Sequence, residues 1–287
     1  MLSSRKFIVF LQVKFMIDDT NMSDDSDDNI ETEHNYSDDG IVSGYSLEIN
    51  NQTCRINNSQ QLRQLIINTI PIHKLEILFT EGAIQDSDIS LLSEYLNNEV
   101  GNKIKILYLM SSELGNEQAK QVIIALVKSG CLLEELSFWE NNLHDDLNFL
   151  CNLTKFNNSL RLLNFADNDM STSIDYIIDI INNCPLLEDL DLGNCSIVDF
   201  DFKKLCLSFK THPKLNKLCL EYNHKITDES VEHLTDLIKQ NKQLKYINLS
   251  NTSISIKNIS MLQAIKKDVE IFFGNQIVKN KLCLRPN

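Results

Sequence analysis

The side chains with chemical reach in this sequence are six histidines, eight cysteines and an excess of carboxylates, 40 Asp and Glu against 27 Lys and Arg. Their spacing argues against a shared reaction centre. His34, His73, His144, His212, His224 and His233 stand far apart, without an HExxH pattern or a Cys-His pair at ligand spacing, so no zinc site is expected. The nearest cluster, His144-Asp145-Asp146, reads as the start of a helix, where the dipole favours carboxylates. Cys54, Cys131, Cys151, Cys184, Cys195, Cys206, Cys219 and Cys283 include no CxxC. That scatter suits reduced thiols acting as small buried hydrophobes in an intracellular, cytoplasmic protein. A GxxxxGK[ST] phosphate loop and a GxSxG nucleophile elbow are both missing. The expectation is a non-catalytic protein without metal or cofactor.

Binding chemistry is what remains. A formal net charge of -13, with no cluster of Lys and Arg, argues against a nucleic-acid ligand. The opening apolar run, Phe7 to Met16, is too short to span a bilayer, and Ile17-Asp18-Asp19 stands where a signal cleavage site belongs. It reads as a leader, or as sequence ahead of a later start at Met16 or Met22. Between Asp18 and Asp39 lie ten carboxylates and no Lys or Arg. Such a stretch cannot bury enough apolar surface to offset its ordering entropy, so residues 1–43 are expected to be a disordered acidic segment.

From residue 44 the pattern changes. Tyr45, Leu47, Ile49, Cys54 and Ile56 alternate around Asn50-Asn51, the mark of a hairpin. Leu62, Leu65, Ile66 and Ile70 then recur at helical spacing up to Pro71. Residues 44–70 read as an N-terminal cap. A short phrase follows with first-position residues Leu75, Ile104, Leu133, Leu160, Leu187, Leu215 and Leu244, at steps of 27 to 29 residues. Each copy is followed by a helical stretch: Ile89 to Leu96, Gln118 to Val127, Asp146 to Leu153, Ile174 to Ile181, Phe200 to Phe209, Val231 to Ile238, and Ile256 to Ile265. Pro185 and Pro213 stand where they end the preceding helix. Val269, Ile271, Phe272 and Phe273 keep an apolar strand before the chain turns polar, so 269–287 is read as a C-terminal cap and tail.

Leu133-Glu-Glu-Leu136-Ser-Phe138-Trp-Glu-Asn141-Asn-Leu143 resembles the leucine-rich repeat pattern LxxLxLxxNxL. The 28-residue period with a true helix resembles the ribonuclease-inhibitor subfamily. The resemblance implies an α/β solenoid, a horseshoe with a concave parallel β-sheet, convex helices and about seven repeats over residues 71–268 plus caps. It also implies a hydrogen-bonded ladder of ninth-position side chains under the turns: Ala83, Ser112, Asn141, Asn168, Cys195, Asn223 and Thr252. Ala83 has no side-chain hydrogen bond to offer.

The fourth and sixth positions would point into the core, leaving the third, fifth and seventh on the concave face. In the first repeats these are Ile77, Phe79 and Glu81; Ile106, Tyr108 and Met110; Glu135, Ser137 and Trp139; Leu162, Asn164 and Ala166. Ile77, Phe79, Ile106, Tyr108, Met110, Trp139 and Leu162 form a candidate apolar and aromatic patch. Glu134, Glu135, Glu140, Asp167, Asp169, Glu188, Asp189 and Asp191 flank it with negative charge that selects a basic partner. The leading expectation is a monomeric scaffold binding a protein partner there, with no nucleic acid and no membrane. Some members of the resembled subfamily activate Ran-type GTPases, which makes that the alternative, with Arg161 the sole arginine of the repeats. A third reading is a microbial effector that captures a host protein in the host cytosol.

Overall fold

The computed structural model describes residues 48–50, 52–68, 70–79, 83–265 and 268–273. The acidic N-terminal segment and the tail after Phe273 lie outside them. β1 (Glu48–Asn50) and β2 (Thr53–Ile56) form an antiparallel hairpin followed by α1 (Ser59–Asn68). Strands and helices then alternate: β3 (Lys74–Leu78), α2 (Asp86–Leu96), β4 (Ile106–Met110), α3 (Asn116–Ser129), β5 (Glu135–Ser137), α4 (Leu150–Phe156) and β6 (Leu162–Asn164). They continue as α5 (Ile174–Asn183), β7 (Asp189–Asp191), α6 (Asp199–Lys210), β8 (Lys217–Cys219), α7 (Val231–Gln240), β9 (Tyr246–Asn248), α8 (Ile256–Ile265) and β10 (Glu270–Phe272).

All ten strands belong to one sheet in sequence order, and β2 to β10 are parallel. Each helix packs on the next, from α1 to α8. Strands repeat at about 4.8 Å and helices at about 10 Å. One layer of each per repeat therefore bends the array with the sheet on the inner, concave side. First, fourth and sixth positions such as Leu133, Leu136 and Phe138, and Leu160, Leu163 and Phe165, are buried between sheet and helices. Phe138 stacks on Phe165 with ring centroids 6.1 Å apart. Each such side chain contributes about 1.5–3 kcal/mol on burial.

The first repeat is registered three residues earlier than the sequence phrase suggests. Leu75 pairs with Leu107 and Ile77 with Leu109, which makes Ile72 the first position, Leu75 the fourth and Ile77 the sixth. Ile72, Leu75 and Ile77 are all buried. The step from Ile72 to Ile104 is 32 residues, and the extra length is taken up before and within the loop around residue 80. The ninth position of this repeat is Thr80, outside the described residues, and not Ala83.

Two ladders of polar side chains tie the loops together. Asn223 Oδ1 accepts from the Cys195 and Ile197 amides at 3.1 and 2.9 Å, while its Nδ2 donates to the Leu192 and Leu220 carbonyls at 2.8 and 2.9 Å. Asn141 and Asn168 repeat this arrangement one and two turns earlier along the chain's N-terminal side. Ser112, Cys195 and Thr252 fill the same rung with hydroxyl or thiol donors. The second ladder precedes the strands. Asn241 Oδ1 accepts from the Gln243 and Leu244 amides, and His212 Nδ1 takes the same role for Lys214 and Leu215 while Nε2 meets the Cys184 carbonyl at 3.1 Å. His212 is thus a structural stand-in for asparagine. Burial pushes its pKa below the ordinary value, with backbone hydrogen bonds acting in opposition.

A third recurring feature is the left-handed conformation at the eighth position: Ser111, Glu140, Asp167, Asn194, Tyr222 and Asn251 all have φ between 45° and 60°. This bend lets the eighth amide donate to the seventh carbonyl of the next repeat, as in Glu140 to Ala166 and Asp167 to Gly193 at 2.9 Å. The sheet ladder is thereby extended past the strands. The conformation costs non-glycine residues about 1–2 kcal/mol, and no β-branched residue occupies it.

His144-Asp145-Asp146 does not start a helix. Asp145 has φ 54°, incompatible with a right-handed turn, and α4 begins only at Leu150. The His144 ring instead lies 2.7 Å from the Asp145 carboxylate, and Asp146 accepts from the Asn148 amide at 3.1 Å.

Candidate concave interaction face

Register across the sheet assembles the candidate site. Thr53, Lys74, Ile106, Glu135, Leu162, Asp189, Lys217, Tyr246 and Glu270 lie side by side as the third-position row. Beside it runs the fifth-position row, Arg55, Glu76, Tyr108, Ser137, Asn164, Asp191, Cys219, Asn248 and Phe272. Leu78 pairs with Met110, and Trp139 stands next along the seventh-position row.

Two of the expected patch residues leave this face. Ile77 is 0% exposed and on the core side of β3, and Phe79, 8% exposed, follows it into the core. The three-residue register difference is the cause; it brings Lys74, Glu76 and Leu78 onto the face instead. Glu81 lies outside the described residues. A signal for this was present: counted from Leu75 the sixth position is the polar Thr80, whereas counting from Ile72 gives Leu75 and Ile77, both apolar.

Tyr108 is on the face but 5% exposed. Lys74 Nζ sits 4.5 Å above its ring centroid, and its hydroxyl donates to the Glu135 carboxylate. Burial first, then the Glu135 charge and hydrogen bond, push the phenol well above its ordinary pKa, so it remains a donor. Lys74 also meets Glu76 at 2.9 Å, and Arg55 meets Glu76 at 2.5 Å. Burial works against the Glu76 carboxylate, but the hydrogen bonds and charges of Lys74 and Arg55 outweigh it and hold its pKa low. Arg55, Glu76, Lys74, Tyr108 and Glu135 form one connected polar strip.

Beside that strip, Leu78, Ile106, Met110, Trp139 and Leu162 are half-buried. Trp139 is fixed by a 2.7 Å hydrogen bond from its indole Nε1 to Asp167, whose other oxygen accepts from Asn194 at 2.7 Å. Glu140, exposed on the rim, accepts from Ser111 Oγ at 2.5 Å. Asp189 pairs with Lys217 at 3.0 Å, yet burial, with the nearby Glu135 and Glu188 charges, raises its pKa. Asp191 is buried and accepts from the Gly193 amide at 2.9 Å. Six carboxylates (Glu76, Glu135, Asp189, Asp191, Glu221 and Glu270) stand on this face against three cations (Arg55, Lys74 and Lys217), so its charge is net negative. Arg161 lies on the rim, engaged with Glu188 at 2.9 Å.

A shallow depression of about 670 Å³ beside Trp139 is lined by Asn142, His144, Asp167, Asp169, Asn194 and Ser196. Burial opposes ionisation of Asp169, but hydrogen bonds from Ser171 and Ser196 hold its pKa low. Among the described residues no group of three His, Cys, Asp or Glu could hold a metal, and no helix is long and apolar enough to cross a membrane. Of the cysteines, Cys54, Cys131, Cys151, Cys184, Cys195 and Cys206 are free thiols. Burial lifts Cys54 and Cys184 to about 12 and Cys131 to about 11. Cys219 is disulfide-bonded, against the expectation that all eight are reduced.

Parallel strands in sequence order, helices on one side and an asparagine ladder at a near-constant period define a leucine-rich repeat solenoid. Solved structures similar to the chain include the leucine-rich repeat-containing protein LegL7 from Legionella pneumophila, at 17% identity and TM-score 0.48, covering 76% of this chain and 70% of that one. A protein from Bacteroides fragilis is similar at 16% identity and TM-score 0.45, covering 74% and 67%. TLR13, solved in a complex with ssRNA13, is similar at 14% identity and TM-score 0.39; 69% of this chain is covered but only 27% of TLR13. No protein-family model matches the chain, and no curated protein matches it in sequence.

Proposed function

We propose that the chain is a binding scaffold that holds a protein partner on the concave face of β3 to β6. The observation that carries this reading is the group Leu78, Ile106, Met110, Trp139 and Leu162. These apolar side chains are left half-buried on the face opposite the helices, where core packing does not require them. An apolar surface of this kind, rimmed by polar groups, is characteristic of interaction sites. Trp139 is the natural anchor, because tryptophan is enriched among residues that dominate binding energy and its indole is already oriented by Asp167. Glu135, Glu140, Asp167 and Asp189 provide a negative rim that favours a basic partner by complementary charge. Asp191 and Tyr108 contribute to the floor rather than to the contact surface.

A photo-crosslinking amino acid placed at Met110, compared with one at the exposed Leu207 on the helix layer, tests the assignment. The reading expects a discrete crosslinked protein from Met110, and loss of at least tenfold in its affinity in the Trp139→Ala, Met110→Ala double variant. Equal capture from both positions, or unchanged affinity in the double variant, would overturn it.

A further inference from the structure

The concave face is not uniform along its length. On β6 to β9 the face-lining side chains Asn164, Asp191, Cys219, Tyr246 and Asn248 are buried, although each points away from the helix layer, and Cys219 is 0% exposed. Each of these five also engages a partner beyond the contacts described above. On β3 to β5, by contrast, Leu78, Ile106, Met110 and Trp139 remain partly open.

The cysteines indicate what covers the second half. The chain has eight; six are free thiols, Cys219 is disulfide-bonded, and the one that remains is Cys283. We propose that residues 274–284 lie across β8 to β10 on the concave face and are fastened there by a Cys219–Cys283 disulfide. Reach permits it. From β10 to β8 is two strand spacings, about 10 Å, whereas the nine residues between Phe273 and Cys283 can extend about 30 Å. Charge favours it as well. Residues 274–284 carry Lys279 and Lys281 and no carboxylate, and the face beneath offers Asp189, Asp191, Glu221 and Glu270. Ile277, Val278, Leu282 and Leu284 supply apolar side chains that a strap across Tyr246 and Phe272 can use.

The bond forms by exchange with a small-molecule or protein disulfide. The two thiols lose two protons and two electrons, one S–S bond forms between Cys219 and Cys283, and the oxidant's S–S bond becomes two thiols. A dithiol reductant runs the step backwards. The inference concerns strands outside the Leu78 to Leu162 patch, so it stands or falls separately from the proposed partner site. Its consequence is that oxidation closes one half of the face, and reduction returns the carboxylates of β7 to β10 to solvent.

Peptide mapping of the full chain, incubated with glutathione disulfide and digested by trypsin without reduction, is the test. The expected product joins Leu218–Lys225 to Leu282–Asn287, with a mass two hydrogens below the sum of the free peptides, in a protein that runs as a monomer. Trypsin should also cut native protein at Lys279 and Lys281 at least tenfold more slowly in the oxidised form than after reduction or in Cys283→Ser. Alkylation of both Cys219 and Cys283 without prior reduction, a disulfide between two chains, glutathione retained on Cys283, or equal cutting in both forms would overturn the proposal.

Discussion

Asn223→Ala removes the most heavily used rung of the ninth-position ladder. The carboxamide is 1% exposed, accepts from the Cys195 and Ile197 amides and donates to the Leu192 and Leu220 carbonyls. Alanine leaves two buried amides without an acceptor, and each orphaned donor costs about 1–3 kcal/mol. The carbonyls lose less, since each keeps a second lone pair for other donors. The sum is about 3–5 kcal/mol, a large share of the stability of any domain. Cys195→Ala is the internal control. It deletes a weak thiol donor at the neighbouring rung and should cost less than about 1 kcal/mol by the same reasoning. Equilibrium urea unfolding followed by far-UV circular dichroism measures both, with the midpoint shift read at unchanged slope. A loss below 1 kcal/mol for Asn223→Ala, or equal losses for the two variants, would refute the ladder as a source of stability.

Ile77→Ala should lose about 2–4 kcal/mol by opening a core cavity while Leu78→Ala stays within about 1 kcal/mol, which urea titrations of the two would show; the reverse order would restore the unshifted register. The folded-state pKa of His212 lies below its ordinary 6.5 because of burial. The unfolded chain therefore binds the proton first, so the stability from neutral His212 is complete above pH 6.5 and is lost as pH falls below it. His212→Asn, which supplies the acceptor that Asn241 supplies one repeat later, should keep the fold and flatten unfolding midpoints between pH 7 and 5. Glu76 titrates below its ordinary 4.5 beside Lys74 and Arg55, so its contribution is present above 4.5 and lost below; Glu76→Gln should reduce stability at pH 7 and converge with the parent near pH 3.

The repeat was legible because its signal is steric. Leu133, Leu136 and Phe138 recur as Leu160, Leu163 and Phe165, and a buried sheet face demands that spacing wherever the chain returns. The ladder was legible for the same reason, since a buried turn at Asn141 or Asn223 cannot leave its amides unpaired. The first repeat was misread at Leu75 because a parallel strand buried on one face reads nearly as well when shifted to the next leucine, and only the polar Thr80 spoke against it. The same shift removed Ile77 and Phe79 from the concave face and hid Lys74, Glu76 and Leu78. The early helix expected at Asp146 failed on one torsion, the left-handed Asp145, which asparagine and aspartate tolerate without a sequence mark. The role of His212 depends on which backbone amides approach its ring, and spacing alone does not carry that.

Trp139 is the only tryptophan in the chain and stands at the centre of the proposed contact surface, so its fluorescence tests the central claim most directly. A partner identified by crosslinking from Met110 should, on titration, shift Trp139 emission to the blue with a midpoint equal to the binding constant, and more weakly as salt screens the acidic rim. Saturable binding of that partner with Trp139 emission unchanged would place the contact elsewhere and contradict the account.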